Sequence, residues 1–416
     1  MVVENCPYLR DPRVRREAEA LTAAGYRVSV ICPSQGGRRH EIVGGVSIYE
    51  FPIWQFTRTV PGYFVEYAWA MMAMAVLSLW IWLTDGFDIL HVANPPDCIV
   101  PMLGVYKLVG KLVVYDQHDL SPELYAAKFG RNVWFSRLLL AMERYSYLLA
   151  DHIIVTNESY KELAIQRGSL PESKVTVVRN GPDLGSINAA KPDPELRRKS
   201  SNIIAFAGVT GPQDGLDGLC RALHHLRYTL QIDEFYCVVL GDGDALAAAK
   251  ALARELKVDD KMWFAGWISD SEKYASYIAT ADICIAPDPV NTYNDRSTFV
   301  KIMEYMAAGK PIVGFDLRET RRSAMDAALY ARTGDVEDFA KHIAMLIHNP
   351  PLRRSMGDAG TRRIQRELAW QHWIPNLLNA YKTLTRSRVA AVATPLRQVL
   401  PQEAEDEEPL PSEKRI

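Results

Sequence analysis

Lys301 and Glu304 stand three residues apart in the run Asp295–Gly314, which carries charge in its first turns and stops at Gly309-Lys310-Pro311. That pattern predicts one helix with both side chains on a single face. Ser297 or Thr298 is the expected cap. The first-turn N–H groups, those of Phe299 and Val300 included, would then face outward at the positive end of the helix dipole, where an anion is favoured. A lysine at that end neutralises phosphate, and a carboxylate one turn deeper accepts hydrogen bonds from the two hydroxyls of a ribose. The combination reads as nucleotide diphosphate recognition; the plainer alternative is a surface ion pair on an ordinary helix.

Other stretches that could meet such a ligand follow short apolar runs. Gly208-Val209-Thr210-Gly211-Pro212-Gln213-Asp214-Gly215 lies between a strand-like run and a helix predicted over 216–226, so the amides of Gly208, Thr210 and Gly211 are placed to approach a phosphate. Gly241-Asp242-Gly243-Asp244 reads as a further strand-to-helix turn, with the backbone of Gly241 and Asp242 available to the nucleotide base. It is also the nearest approach to an Asp-x-Asp element, and the reading requires neither metal nor other cofactor. His118 comes just after the strand-like run ending Tyr115-Asp116, and Asn94-Pro95-Pro96-Asp97 ends another. His118, Asn94, Pro95, Asp97 and Asp119 would therefore sit at the mouth of a cleft, although a lone histidine is often structural and Asp119 also suits a helix start.

The elements that must position these groups form two series. Asp11, Pro12 and Gly25 mark the start and stop of a first helix. Strand-like runs at 28–32, 87–92, 112–116 and 151–156 follow at helical spacing, and a second series occupies 202–208, 236–241, 262–265, 281–287 and 311–315. Short continuous apolar strands alternating with helices predict an α/β fold, two doubly wound Rossmann-like domains with parallel sheets covered on both faces. Their ligand sites belong at the carboxyl ends of the strands, facing each other across a cleft. The expected division is an acceptor-side domain over 1–185, a linker over 186–201, a nucleotide-binding domain over 202–370, a returning helix over 371–388 and an acidic disordered tail over 389–416.

At 416 residues the chain suits two domains, and 48% hydrophobic with 24% charged residues is the composition of a globular protein. A net charge of −2 supplies no global basic field for nucleic acid. Six scattered cysteines without C-x-x-C spacing point to thiols in a reducing compartment. No basic, apolar leader opens the chain, and only Met1, Val2 and Val3 are available to a first strand, which allows for a true start a few residues upstream. The apolar run 68–83 would make a helix of roughly 24 Å, short of a bilayer's hydrocarbon core. It is expected either to cover the first sheet or to press Trp69, Trp80 and Trp82 into the cytoplasmic leaflet.

The segment around Glu304 resembles the donor-binding helix of the retaining family 4 glycosyltransferases of the group 1 type, with Glu304 on the second glutamate of their motif and Arg296 in place of the first. The stretches 11–18, 25–28, 91–97, 115–120, 178–183, 241–243 and 264–267 are similar to that family's landmarks, in its order. The resemblance implies the GT-B architecture and transfer of a sugar, with retention, from a nucleotide-sugar donor, a UDP-sugar, to a lipid-linked or saccharide acceptor in surface polysaccharide assembly. It also implies a cytoplasmic protein, peripheral to the inner face of the membrane. It assigns His118 to the face of the transferred sugar and Arg179 and Asn180 to the donor. Val209 and Asp214 stand where the family has two cations, so Lys301, Arg296 or Arg179 is expected to supply charge in their place. An epimerase or phosphorylase on the same fold, and a non-catalytic partner that has lost turnover, are the alternatives.

Overall fold

Strands apolar on both faces must be covered on both, and each half of the chain obeys that rule. The computed structural model describes residues 1–34, 40–52, 60–130, 132–182 and 184–393. In the first half, strands β1 (Ser29–Pro33), β2 (His40–Val43) and β3 (Val46–Phe51) form one sheet in the order β1-β3-β2. Strands β4 (Ile89–Asn94), β5 (Leu112–Gln117), β6 (His152–Val155) and β7 (Val175–Val177) form another in sequential order. Val2 bridges Ile31 of β1 and Val92 of β4, so the short first run joins the two sheets into one layer. Every pairing is parallel except β2 with β3. The second half holds β8 (Ile203–Ala207), β9 (Tyr236–Leu240), β10 (Met262–Gly266), β11 (Ile283–Ala286), β12 (Ile312–Phe315) and β13 (Ala328–Ala331), all parallel in the order β10-β9-β8-β11-β12-β13.

Alternate residues of each strand feed different cores. In the first half Val113, Tyr115, Ile153 and Val155 face the helices Val60–Thr84, Val100–Leu108 and Val133–Leu149, while Val114 and Ile154 face the helix Pro12–Ala23 and the last helix, Ile374–Ala393. In the second half Ile204, Phe206, Cys237 and Val239 lie in one core and Ile203, Ala205, Val238 and Leu240 in the other. All six cysteines are free, four of them buried in these cores.

Local signals were obeyed where they concern the backbone alone. Asp11 accepts from the amides of Arg13 and Val14 and starts the Pro12–Ala23 helix, and Gly25, at φ +91°, lies just past its end. The stretch expected to be a bare linker instead contains two short helices, Leu184–Ala189 and Pro194–Arg197, because Asp193 caps the second and Leu196 is buried in the second half's core. The run expected over sixteen residues extends into a 25-residue helix, Val60–Thr84. Its Val65–Thr84 portion is long and apolar enough to cross a membrane, yet Ala70, Met74 and Ile81 are buried against the sheet. The last helix crosses back onto the first half, where Leu377, Tyr381 and Leu384 are buried with Val14 and Leu21. Of the expected acidic tail, residues 394–416 lie outside the described residues.

Candidate functional site

From β8 the chain moves to β9 on one side and later returns to β11 on the other. The crevice beyond the carboxyl ends of β8 and β11 is therefore the topological switch point, where open α/β sheets hold their ligands. Gly208–Gly215 leaves β8 at that place, and Asp288 lies just beyond β11. A Cβ on Gly241 would stand 1.8 Å from the Gly208 carbonyl oxygen, so only glycine lets the loop after β9 lie against the loop after β8.

That close packing corrects the expected amide cradle. The N–H of Gly208 donates to the Leu240 oxygen at 3.0 Å, that of Thr210 to the Asp242 oxygen at 3.1 Å, and that of Gly211 to Asp214 Oδ2 at 2.9 Å. The first two bonds hold the loops together. The third is different: a carboxylate from the same loop occupies the amide that a phosphate oxygen would take. Gly241 is likewise engaged, its N–H on the Gly266 oxygen at 2.9 Å, whereas Asp242 is exposed.

Lys301 reaches this loop from the helix Val300–Ala307, its Nζ 3.8 Å from the place a Gly208 Cβ would occupy. The ammonium lies over the rings of Phe206 and Phe299 and 2.6 Å from Asp288 Oδ1. Lys301 and Asp288 are 7% and 0% exposed, which corrects the expectation of a free phosphate cation: the charge is present but held by a buried partner. The two carboxylates near this loop thus sit on the two groups best suited to an anion, Gly211 N–H and Lys301 Nζ. Burial pushes the Asp214 carboxyl up to about 6, against the pull of Lys301.

The expected cap is also corrected. The helix begins at Val300 with Phe299 as its N-cap and no side chain on its first amides. The Ser297 hydroxyl donates to the Tyr293 oxygen at 2.8 Å and lies 3.0 Å from the Tyr160 hydroxyl, and Thr298 Oγ1 donates to Glu319 Oε2 at 3.4 Å. Partners outside the helix, one of them in the opposite half, draw both hydroxyls away. Glu304 follows one turn after Lys301, half-buried, with Oε2 accepting from the Tyr274 hydroxyl at 2.6 Å. Burial raises its carboxyl above the usual range, while Tyr274 and the charge of Arg16, across the cleft, act the other way. Arg16 also donates to the Gly181 oxygen.

In the first half, Asn94 holds the cleft loop rather than a ligand. Its Oδ1 accepts from His118 N at 2.7 Å and Asp119 N at 3.1 Å, and its Nδ2 donates to Asp97 Oδ1 at 3.0 Å and the Asp119 oxygen at 2.9 Å. Asp97 is buried and also accepts from the Tyr115 hydroxyl, which leaves Pro95 as the half-exposed part of this turn. Asp119 accepts from the Tyr293 hydroxyl at 2.7 Å, a contact between the halves. The His118 ring is buried with Nε2 on Asp116 Oδ2. Asp116 also lies 3.3 Å from His91 Nε2, and His91 Nδ1 is 2.7 Å from the Tyr381 hydroxyl of the returning helix. Burial would raise Asp116, but the two histidines hold it below the usual range. Glu17, Asp116 and His118 offer ligand atoms within 4.8 Å of one another, a set with the chemistry of a cation site among the described residues.

Two expected donor cations are engaged by other groups of the protein. Arg179, 5% exposed, is paired with Glu158 and lies 3.5 Å from Glu319, so it braces the two halves. Arg296 is half-buried, its Nη1 on the Thr292 oxygen at 3.3 Å and its own oxygen accepting from Asn157 Nδ2. Asn180, next to Arg179 in sequence, is half-buried. Sequence reasoning missed Asp288, Tyr274 and Arg16. Asp288 carried one signal, an acid two residues beyond an apolar strand at the expected switch point.

Asp214 makes the site sensitive to pH. Its raised value means that it takes up a proton as pH falls through about 6, which removes a negative charge and weakens its hold on Gly211. Affinity for an intact nucleotide sugar, whose diphosphate stays ionised, is expected to rise by roughly threefold to tenfold from pH 7.5 to 5.5, the effect of about 1 kcal/mol of repulsion removed. Asp214→Asn should bind tightly at both values. Calorimetry showing the same pH response in wild type and variant would remove Asp214 from the site.

Comparison with known proteins follows the same division in two. Residues 13–186 match the family described as Glycosyltransferase Family 4, and residues 188–363 match that described as Glycosyl transferases group 1. A phosphatidyl-myo-inositol mannosyltransferase of Mycobacterium leprae is 24% identical over 396 residues, 92% of this chain and 96% of the relative. The fold is similar to that of sucrose-phosphate synthase from Thermosynechococcus elongatus, with TM-score 0.74 and 18% identity over 90% of this chain and 93% of the other. It is also similar to Anabaena Alr3699/HepE, solved in complex with UDP, with TM-score 0.63 and 14% identity over 94% of this chain and 99% of the other.

Proposed function

The chain belongs to the glycosyltransferases that join a family 4 amino-terminal half to a group 1 carboxyl-terminal half in the GT-B fold, and from that premise we propose that it moves a sugar, with retention, from a UDP-sugar to a lipid-linked or saccharide acceptor. The observation that carries this reading is the pair of internal carboxylates at the β8–β11 switch point. Asp214 on Gly211 N–H and Asp288 on Lys301 Nζ mark two places built to hold negative charge, with Glu304 one turn further along the same helix. A donor diphosphate would displace Asp214 from the amide and share Lys301 with Asp288, and Glu304 would accept from the ribose hydroxyls. As the sugar–phosphate bond breaks, charge grows on the diphosphate, and Lys301 and the loop amide stabilise it in a site shielded from water.

The leaving phosphate is proposed to take the acceptor's proton, so no side chain is needed as general base. His118, held by Asp116, would place the loop that meets the transferred sugar, and Pro95 and Asp119 would flank the acceptor. The UDP-bound relative Alr3699/HepE supports the base, and the mycobacterial relative, named for phosphatidyl-myo-inositol, supports an acceptor on a lipid. An enzyme acting on such acceptors would work at the cytoplasmic face of a membrane, in polysaccharide or glycolipid assembly.

Calorimetric titration with UDP, GDP and ADP, with and without EDTA, tests the reading. Micromolar binding of UDP unchanged by EDTA is expected. Preference for GDP or ADP would overturn the choice of base, and dependence on metal would point to the Glu17–Asp116–His118 set. Binding of none of the three would favour a non-catalytic partner whose anion places are permanently filled by its own carboxylates.

A further inference from the structure

Residues two apart on a strand share a face. His91 of β4 and Asp116 of β5 therefore lie on the side of the sheet where Ala93 and Val114 meet the first and last helices. Glu17 comes to the same place from Pro12–Ala23 and Tyr381 from Ile374–Ala393, and all four side chains are buried. His118 follows just past the end of β5, and its neighbour Asp119 accepts from Tyr293 of the second half, so the ring stands where the two halves meet.

One assignment of protons fits these contacts. Burial would raise Asp116, but His118 and His91 hold it below the usual range, so it is ionised and only accepts. Its Oδ2 meets Nε2 of both rings, so each ring carries a proton on Nε2. Burial also holds His91 below its usual range and neutral at neutral pH. Its Nδ1 then bears a lone pair, and the Tyr381 hydroxyl, 2.7 Å away, must donate to it. Glu17 is no rival acceptor: burial, then Asp116, push its carboxyl well above the usual range, so it keeps its proton. Its Oε2, 3.5 Å from His91 Nε2, has no hydrogen-bond partner among the described residues.

We propose that Tyr381, His91 and Asp116 are positioning residues that fix His118 with its ring proton on Nε2, and so leave Nδ1 as an acceptor for a hydroxyl of the donor sugar. The order runs from the returning helix to the cleft: Tyr381 donates to His91, His91 to Asp116, and Asp116 selects the tautomer of His118. A carboxylate that orients a histidine in this way is worth several decades in rate in other enzymes, where its amide isostere presents the wrong tautomer. An acceptor at Nδ1 pairs with a sugar O–H and not with a ring or bridging oxygen, which has no proton to give. Tyr381 belongs to the segment that has already left the second half, so the seating of the last helix bears on the proton position at the cleft. The inference rests on the proposed donor reading for its ligand alone.

The test is nitrogen-15 NMR of the full chain labelled at histidine, at about pH 8, where an ordinary imidazole is neutral. Wild type is expected to show His118 and His91 each as one tautomer, with the proton on Nε2. Asp116→Asn, whose amide donates as well as accepts, should bring in the second tautomer at His118. Tyr381→Phe keeps the buried ring and should do the same at His91. Calorimetry reads the consequence: at least one of UDP-glucose, UDP-galactose and UDP-N-acetylglucosamine is expected to bind roughly tenfold better than UDP. Asp116→Asn should lose most of that margin and keep its affinity for UDP within about twofold, a split that a merely structural role would not produce. Wild-type His118 with its proton on Nδ1 would overturn the proposal. So would an equivalent of metal in the purified chain, since an ion on Glu17, Asp116 and His118 would take the lone pair that the Nε2 proton is assigned to cover. A sugar margin absent from wild type, or surviving in Asp116→Asn, would overturn the link to the donor. Failure to bind UDP at all would sink the donor reading and the ligand given to Nδ1, while the spectra still decide the proton positions.

Discussion

Glu304→Ala is expected to weaken nucleotide binding by roughly a hundredfold and to lower transfer at limiting donor by at least as much. The proposed role gives one carboxylate two hydrogen bonds from ribose hydroxyls, and bonds to a charged acceptor contribute about 1.5–3 kcal/mol each. Loss of about 3 kcal/mol corresponds to two decades in affinity. The variant should still fold, since Glu304 is half-buried and its partner Tyr274 loses only one acceptor. Glu304→Gln keeps an oxygen acceptor without the charge and should fall between the two, near tenfold. Titration calorimetry with the preferred nucleotide decides it: an Ala variant that binds like wild type would take Glu304 out of the donor site and leave the Lys301 region to stand alone.

Lys301→Met should have two separable effects. The ammonium neutralises Asp288, which is fully buried, so its removal leaves a carboxylate without a partner and is expected to cost about 3–5 kcal/mol of stability. It should also weaken nucleotide binding by more than about tenfold, the strength of a charge-assisted hydrogen bond to phosphate. Lys301→Met/Asp288→Asn removes both charges together. That double variant should melt closer to wild type and still bind weakly. If it regains wild-type affinity, Lys301 serves the fold alone and the diphosphate is held elsewhere.

Much of the architecture was legible because it is written in local patterns. Asp11-Pro12 started its helix, and the apolar runs became parallel strands in two facing halves. The neighbourhood of the site was legible for the same reason, since a glycine-rich turn after the first strand of a doubly wound sheet lies at the switch point wherever the rest of the chain goes. The chemistry within it was not. Lys301 and Glu304 were found as a pair by spacing, but Asp288, thirteen residues from Lys301, takes the ammonium through a loop that no helical period describes. Ser297 and Thr298 have the composition of caps and lost that role to Tyr160 and Glu319. Arg179 and Asn94 looked like ligand groups because they are polar at strand ends; burial and partners distant in sequence consume both. Single-residue chemistry is thus settled by tertiary partners, whereas the positions of the strands are settled by patterns that recur every few residues.

The chain passes between its halves twice, once near Gly181 and once near Ala369, and these passages touch. A Cβ on Gly181 would stand 2.5 Å from both the Leu368 oxygen and the Trp370 nitrogen. Two strands of backbone pressed together at one spot behave as a door hinge rather than as a tether. Sliding of one half on the other would shear that contact, whereas rotation about it would leave the contact in place. Groups beside the axis, such as Arg16 on the Gly181 oxygen, would turn almost in place. In such a rotation, groups across the cleft would separate in proportion to their distance from the pin.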